Sequence, residues 1–170
     1  MPIRVEPLAR HHDRSSFSCG QADLDDWFRK RAGQDERRNV ARIFVAVDSE
    51  LGVVGFYSLS AFKLEVGELP EAIARKLPRY GSGYPAALIG RLGRDERMRG
   101  QGFGEVLVVD AIKRILLAAE TLAVLAIVVD AKDERAKDFY RRLGFEIFPQ
   151  RANRLFLMAS SALEGFETLQ

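Results

Sequence analysis

The stretch Arg99-Gly100-Gln101-Gly102-Phe103-Gly104 decides how this chain is read. It lies between a strand-like run, Ala86–Arg94, and a helix-like run from about Gly102 to Ala119. Glycines at 100, 102 and 104 relieve Cβ clashes, so the loop turns tightly and its amides stay approachable. The following helix directs unpaired N–H groups and its positive dipole end into that loop. Strand, Gly-rich loop and helix N-terminus together suit a phosphate-bearing anion. The alternative is a Gly-rich turn that holds no ligand.

Residue identity tests two familiar phosphate loops. A P-loop needs Lys-Ser/Thr after its last glycine, and Glu105-Val106 stands there. A dinucleotide fingerprint Gly-x-Gly-x-x-Gly would need glycine at Glu105, and the loop lies mid-chain rather than after a first strand. What remains is Arg-x-x-Gly-x-Gly, read as Arg99, Gly102 and Gly104.

A chain of 170 residues is most simply one domain, 1–170, with material for a sizeable core. Its 47% hydrophobic and 29% charged residues are ordinary globular composition. A net charge of +2 excludes a global polycation. The basic residues are nonetheless 20 Arg against 6 Lys, and Arg suits bidentate contacts to phosphate and carboxylate. The single cysteine, Cys19, excludes an internal disulfide and fits a reducing cytoplasm. No apolar run reaches the length of a membrane span, and the N-terminus has no signal-peptide pattern.

Periodicity predicts a strand at Ile3–Glu6 and a helix opened by Asp23, Asp25 and Asp26. A second helical piece follows at about Gln34–Asn39. Strands at Arg42–Val47 and Gly52–Val66 form a hairpin about Asp48-Ser49-Glu50. Pro70 and Pro78 bracket a short helix, Glu71–Leu77. In the helix after the glycine loop, Val108, Val109, Ile112, Ile115, Leu116 and Ala119 define the expected buried face. Ala123–Val129 reads as a central strand covered on both faces. Asp133–Leu143 is a helix stopped by Gly144, and Phe145–Phe148 and Arg154–Met158 are closing strands. The order predicts an α/β domain on a mixed sheet.

A second block lies at the right distance behind the loop: Asp133, Ala136, Phe139-Tyr140, then Gly144-Phe145. With Arg99, Gly102 and Gly104, it resembles the GCN5-related N-acetyltransferases (GNAT), which hold acetyl-CoA. The resemblance implies a mostly antiparallel central sheet with one splayed parallel pair, flanked by helices. It implies that backbone groups of Leu92, Gly93 and Arg94 meet the pantetheine arm. Amides around Arg99, Gly100, Gln101, Gly102, Phe103 and Gly104 would hold the pyrophosphate. Tyr140 would protonate the departing thiolate, although as a residue it could equally be core. Asp133 stands where the family often has Asn beside the cofactor. An ionised Asp accepts but cannot donate, and it could simply cap its helix. The acceptor amine would attack the thioester directly, so no Cys or Ser nucleophile is needed. Nothing in the sequence orients Cys19, His11 and His12 for catalysis, and no metal is expected.

Short blocks in the N-terminal half point to one branch of that family. They are His11-His12-Asp13-Arg14, Phe17-Ser18-Cys19-Gly20, Leu24-Asp25-Asp26-Trp27-Phe28 and Arg42-Ile43-Phe44-Val45-Ala46. These are similar to the TacT-like acetyltransferase toxins of bacterial toxin–antitoxin pairs. The resemblance implies aminoacyl-tRNA as acceptor, arrested translation, a small ribbon–helix–helix antitoxin and a possible homodimer. Arg75, Lys76, Arg79 and Arg91 would then grip RNA phosphates. Any single basic group reads more simply as a solvated, salt-bridged face. Two other functions stay open: acetylation of a small amine or protein N-terminus, and a non-catalytic module that binds CoA or an antitoxin.

Overall fold

Alternating apolar residues set the first three strands. In the computed structural model, which describes residues 2–65, 67–79 and 81–167, these are β1 (Ile3–Pro7), β2 (Arg42–Asp48) and β3 (Gly52–Leu64). They run antiparallel, with Val5 opposite Ala46 and Val45 opposite Phe56. Asp48 Oδ1 accepts the N–H groups of Glu50 and Leu51 at 2.8 and 2.9 Å, which closes the β2–β3 turn. The predicted end of β3 at Val66 lies outside the described residues.

The helices α1 (Ala22–Lys30), α2 (Ala32–Arg37) and α3 (Glu71–Ala74) precede β4 (Tyr84–Arg94). Then come α4 (Phe103–Ala118), β5 (Ala126–Asp130), α5 (Glu134–Arg142), β6 (Glu146–Phe148), β7 (Arg151–Met158) and α6 (Ala159–Glu167). Hydrogen bonding links the strands in the order β1-β2-β3-β4-β5-β7-β6. The Leu125 N–H bonds the Pro85 carbonyl at 2.9 Å, joining the start of β5 to the start of β4. Two starts brought together across a helical crossover make a parallel neighbour pair. β7 pairs antiparallel with both β5 and β6. The mixed, mostly antiparallel sheet expected from the sequence is therefore present.

The chain divides into two units, which share β3, β4 and α4. The first comprises the residues up to Ser60 together with Ile89–Ala111. Its core contains Phe17, Trp27, Phe28, Ile43, Val45 and Phe56. The Phe28 and Phe56 rings stack at 4.0 Å, and Phe17 meets Phe28 edge-on at 4.9 Å. The second comprises Ala61–Leu88 and the residues from Ile112 onward. Its core contains Leu64, Leu69, Tyr84, Val128, Phe148 and Phe156. Among the described residues, no helix is long and apolar enough to cross a membrane.

Three local expectations change, and one helix, α6, was not expected. No side chain caps α1; Asp25 is buried instead and accepts the Cys19 N–H at 2.9 Å, closing the preceding loop. The buried face of α4 is turned towards Phe103, Leu107, Val108, Ala111, Ile112 and Ile115, leaving Val109, Leu116 and Ala119 half-exposed or exposed. Packing selects Phe103 and Leu107: a Cβ on Gly55 would stand 2.9 Å from the Phe103 ring and 3.0 Å from Leu107. α3 ends at Ala74, because Lys76 and Leu77 N–H groups bond three residues back ahead of Pro78. α6 lacks a strong sequence signal, since Ser160, Ser161 and Gly165 are weak helix formers.

Candidate active site

β4 ends in a braced corner. The Asp95 side chain is 3% exposed and accepts Arg97 Nε at 2.8 Å, Arg97 Nη2 at 2.9 Å and the Arg97 N–H at 2.9 Å. It also accepts the Ser18 N–H at 3.2 Å, while the Glu96 N–H returns to the Ser18 carbonyl at 2.9 Å. Burial pushes the Asp95 carboxyl up, but Arg97 and these N–H groups outweigh it and hold it below its ordinary value. One turn of 3-10 helix, Glu96–Met98, leads from this corner into the glycine loop. Sequence reading missed this brace because Ser18 and Asp95 are 77 positions apart.

The loop needs its glycines for backbone reasons. Gly100 has φ +79° and Gly102 φ +69°, where L side chains are strained. A Cβ at either would meet nothing within 4 Å, so the space beside the loop is open to a ligand. The first helical bond of α4 runs from the Val106 N–H to the Gly102 carbonyl at 3.4 Å. The N–H groups of Phe103, Gly104 and Glu105 precede that bond and have no intrahelical acceptor. The residues present thus fit a pyrophosphate anion.

The other predicted cofactor residues divide by surroundings. Gly93 is a packing glycine, since a Cβ there would lie 2.6 Å from Phe56 Cε1. Leu92 and Arg94 are half-buried, and Gln101 is exposed. The Phe103 side chain is core, which leaves its N–H for a ligand. Arg99 makes an exposed ion pair with Glu96 at 3.3 Å, worth little in water.

In the second unit, Asp133 caps α5: its Oδ1 accepts the Ala136 N–H at 2.8 Å. Tyr140, near the other end of α5, is 8% exposed and lies edge-on to Phe139 and Phe145. Among the described residues its hydroxyl has no hydrogen-bond partner. Burial, and behind it the Asp130 carboxylate, push that hydroxyl up to about 12. Asp130 is held in place by Arg154, with Nε–Oδ1 at 2.8 Å and Nη2–Oδ2 at 3.3 Å. Lys137, one turn before Tyr140, is buried and paired with Glu134 at 2.9 Å.

Arg75, Lys76 and Arg79 are exposed just after α3, in the second unit. Arg91 belongs to the first unit, where its guanidinium lies 4.3 Å over the Trp27 ring. Potential metal-ligating atoms of Glu6, His11 and His12 lie within 4.8 Å of one another. His12 Nδ1 accepts the Ala9 N–H, so its Nε2 carries the proton it gives to Glu6 Oε1 at 2.7 Å. That proton stands where a metal would bind, so the donor set does not fit one.

Residues 39–147 match the acetyltransferase (GNAT) domain. The chain is 33% identical over 162 residues to the "Probable toxin TacT" of Sinorhizobium fredii, covering 90% of this chain and 89% of that protein. It is 35% identical over 150 residues to a tRNA-acetylating toxin of Mycobacterium tuberculosis, covering 88% of each. Its fold matches the structure of AtaT complexed with acetyl-methionyl-tRNAfMet at a TM-score of 0.89, with 26% identity, covering 97% of this chain and 99% of that one. The chain belongs to the GNAT acetyltransferase family. It is an acetyltransferase that uses acetyl-CoA as donor.

Proposed function

We propose that this enzyme is the toxin of a toxin–antitoxin pair. It acetylates the free amino group of aminoacyl-tRNA in the cytoplasm, so that the amine can no longer accept a growing peptide. The names of its relatives support the acceptor: one is a tRNA-acetylating toxin, and AtaT has been captured with acetylated methionyl-tRNA. A small ribbon–helix–helix antitoxin neutralises it, and the enzyme works as a homodimer.

The observation that carries the chemistry is the hydroxyl of the buried residue Tyr140, which no described protein group engages. With its pKa at about 12, it stays protonated throughout the neutral range and is available as a donor. In the proposed mechanism, N–H groups at the start of α4 and along Arg99–Gly104 hold the donor's pyrophosphate. Backbone groups of Leu92, Gly93 and Arg94 align the pantetheine arm, and an N–H of that strand supports the oxyanion. The neutral amine attacks the thioester carbon and a C–N bond forms. The C–S bond then breaks, the sulfur takes the Tyr140 proton, and the amine releases its own proton to water. Holding two substrates in register supplies much of the rate. Asp133 contributes by capping α5 and so fixing the helix that carries Tyr140. Arg75, Lys76, Arg79 and Arg91 contact tRNA phosphates.

Incubation with radiolabelled acetyl-CoA and total aminoacylated tRNA tests this reading. Label should enter the RNA fraction and vanish if the tRNA is deacylated first. Label on polyamines or on protein N-termini, with none on charged tRNA, would select the small-amine or protein-acetylating reading instead.

A further inference from the structure

The first unit carries a second concentration of positive charge, built from residues 10–37, which acetyl transfer does not use. Arg10, Arg14 and Arg29 line a cavity of about 540 Å³. Two of the three are fixed by the backbone: Arg14 donates to the Phe28 carbonyl and Arg29 to the Phe17 carbonyl. The Arg14 guanidinium also lies 5.6 Å from the Phe28 ring centre. Arg37 is brought up beside it by a glycine. A Cβ on Gly33 would stand 3.2 Å from Arg37 Nη1 and 3.5 Å from Arg14 Nη2.

Like charges are thus gathered with one carboxylate, Asp13, in the cavity lining, and with Asp26 near enough to Arg29 to feel its charge. Among the described residues, none of these four arginines pairs with a carboxylate. The nearby acids keep their charge but make their hydrogen bonds to other groups than these arginines. Asp13 Oδ1 accepts both the N–H and the hydroxyl of Ser15, and Glu6 binds His12. Burial first, and the neighbouring Arg37 second, hold the Arg14 pKa below its usual value, as expected of a guanidinium lacking an anion. Preorganised forks with unused N–H donors call for an oxyanion. A single carboxylate is filled by one fork, whereas a phosphoryl group presents oxygens in several directions to several forks.

We propose that this cavity is a phosphate-binding site, separate from the glycine loop, which takes a phosphoryl oxyanion from an RNA backbone or from free phosphate. The RNA source rests on the aminoacyl-tRNA reading above; the phosphate chemistry does not.

The test uses the full chain saturated with CoA, so that the glycine loop is occupied. Calorimetric titration with inorganic phosphate should show saturable binding. Arg10→Gln combined with Arg37→Gln should weaken it by roughly tenfold or more, since charge-assisted hydrogen bonds are removed. CoA affinity and melting temperature should hold, because neither side chain is tied to the backbone. Arg14→Lys should also weaken phosphate, as it keeps the charge and loses the fork. Uncharged tRNA that displaces phosphate identifies the RNA backbone as source; failure to displace identifies free phosphate. Absence of saturable binding, an affinity untouched by the double substitution, or uptake of polyglutamate in preference to phosphate overturns the proposal. Because the titration uses no acceptor amine, failure to acetylate charged tRNA leaves its result readable.

Discussion

Arg97 reaches the Asp95 carboxylate with both Nε and Nη2, at 2.8 and 2.9 Å, and so ties the end of β4 to the turn that opens the glycine loop. Arg97→Ala leaves a nearly buried carboxylate short of its main partner and should cost about 2 kcal/mol. Asp95 also gives this cost a pH signature. A carboxyl held below its ordinary value of 3.8 contributes stability that is complete above that value and lost as pH falls through the folded pKa. Urea midpoints from pH 6 to pH 3 should fall in the parent, and fall less steeply in Arg97→Ala. Parallel acid limbs would show that Asp95 is not held by Arg97.

Two glycines near the loop should respond differently. Gly93→Ala drives a Cβ to within 2.6 Å of Phe56, whose ring is already stacked on Phe28 at 4.0 Å. Overpacking there should cost about 1–3 kcal/mol, visible as a lowered melting temperature. Gly102→Ala meets no neighbour and bears mainly its φ of +69°, a cost of about 1 kcal/mol. Its larger effect should be on CoA affinity, because the new methyl group occupies the open side of the loop. Equal stability and equal CoA affinity for the two variants would contradict this division.

Tyr140→Phe removes a hydroxyl that no described protein group uses, so folding should change little. Acetyl transfer should drop by roughly 10²–10⁴, with acetyl-CoA affinity retained. With the hydroxyl at about 12, its acid form persists up to about pH 10. The parent's rate should therefore rise as the acceptor amine loses its proton near pH 8 and show no fall between pH 8 and pH 10. A variant that folds and turns over at the parent rate would make Tyr140 a core residue.

Charge reversal at Arg75, Lys76 and Arg79 together should raise the KM for charged tRNA and leave acetyl-CoA binding intact. The salt dependence of tRNA binding should also flatten, by roughly one in log–log slope for each phosphate no longer neutralised. An unchanged slope would place the RNA-binding surface elsewhere. Arg91→Lys offers a comparison, since it keeps the charge but weakens the stack over Trp27 at 4.3 Å.

The glycine loop was legible because its requirement is local. Left-handed backbone at Gly100 and Gly102 is encoded by the residues themselves, as is the turn at Gly144. The Asp133 cap was likewise readable, because its acceptor and the Ala136 N–H are three residues apart. The inward face of α4 was not, since Val109 and Leu107 are almost equally apolar and packing on Gly55 chose between them. Arg91 could be named as basic, but its place over Trp27 joins residues far apart in the chain.

By itself, then, the sequence determined most of the elements, the tight glycine loop and the acetyltransferase resemblance. Each rests on spacing within a few turns of chain, where propensity, capping and glycine freedom act. Tertiary structure decided the placement of β7 between β5 and β6, the Asp95–Arg97–Ser18 brace and the gathering of arginines around Gly33. It also decided the burial that lifts Tyr140 to about 12. These depend on which distant groups share a neighbourhood and on how much water is removed around them. Desolvation and charge pairing act through space, and only the folded chain sets those distances.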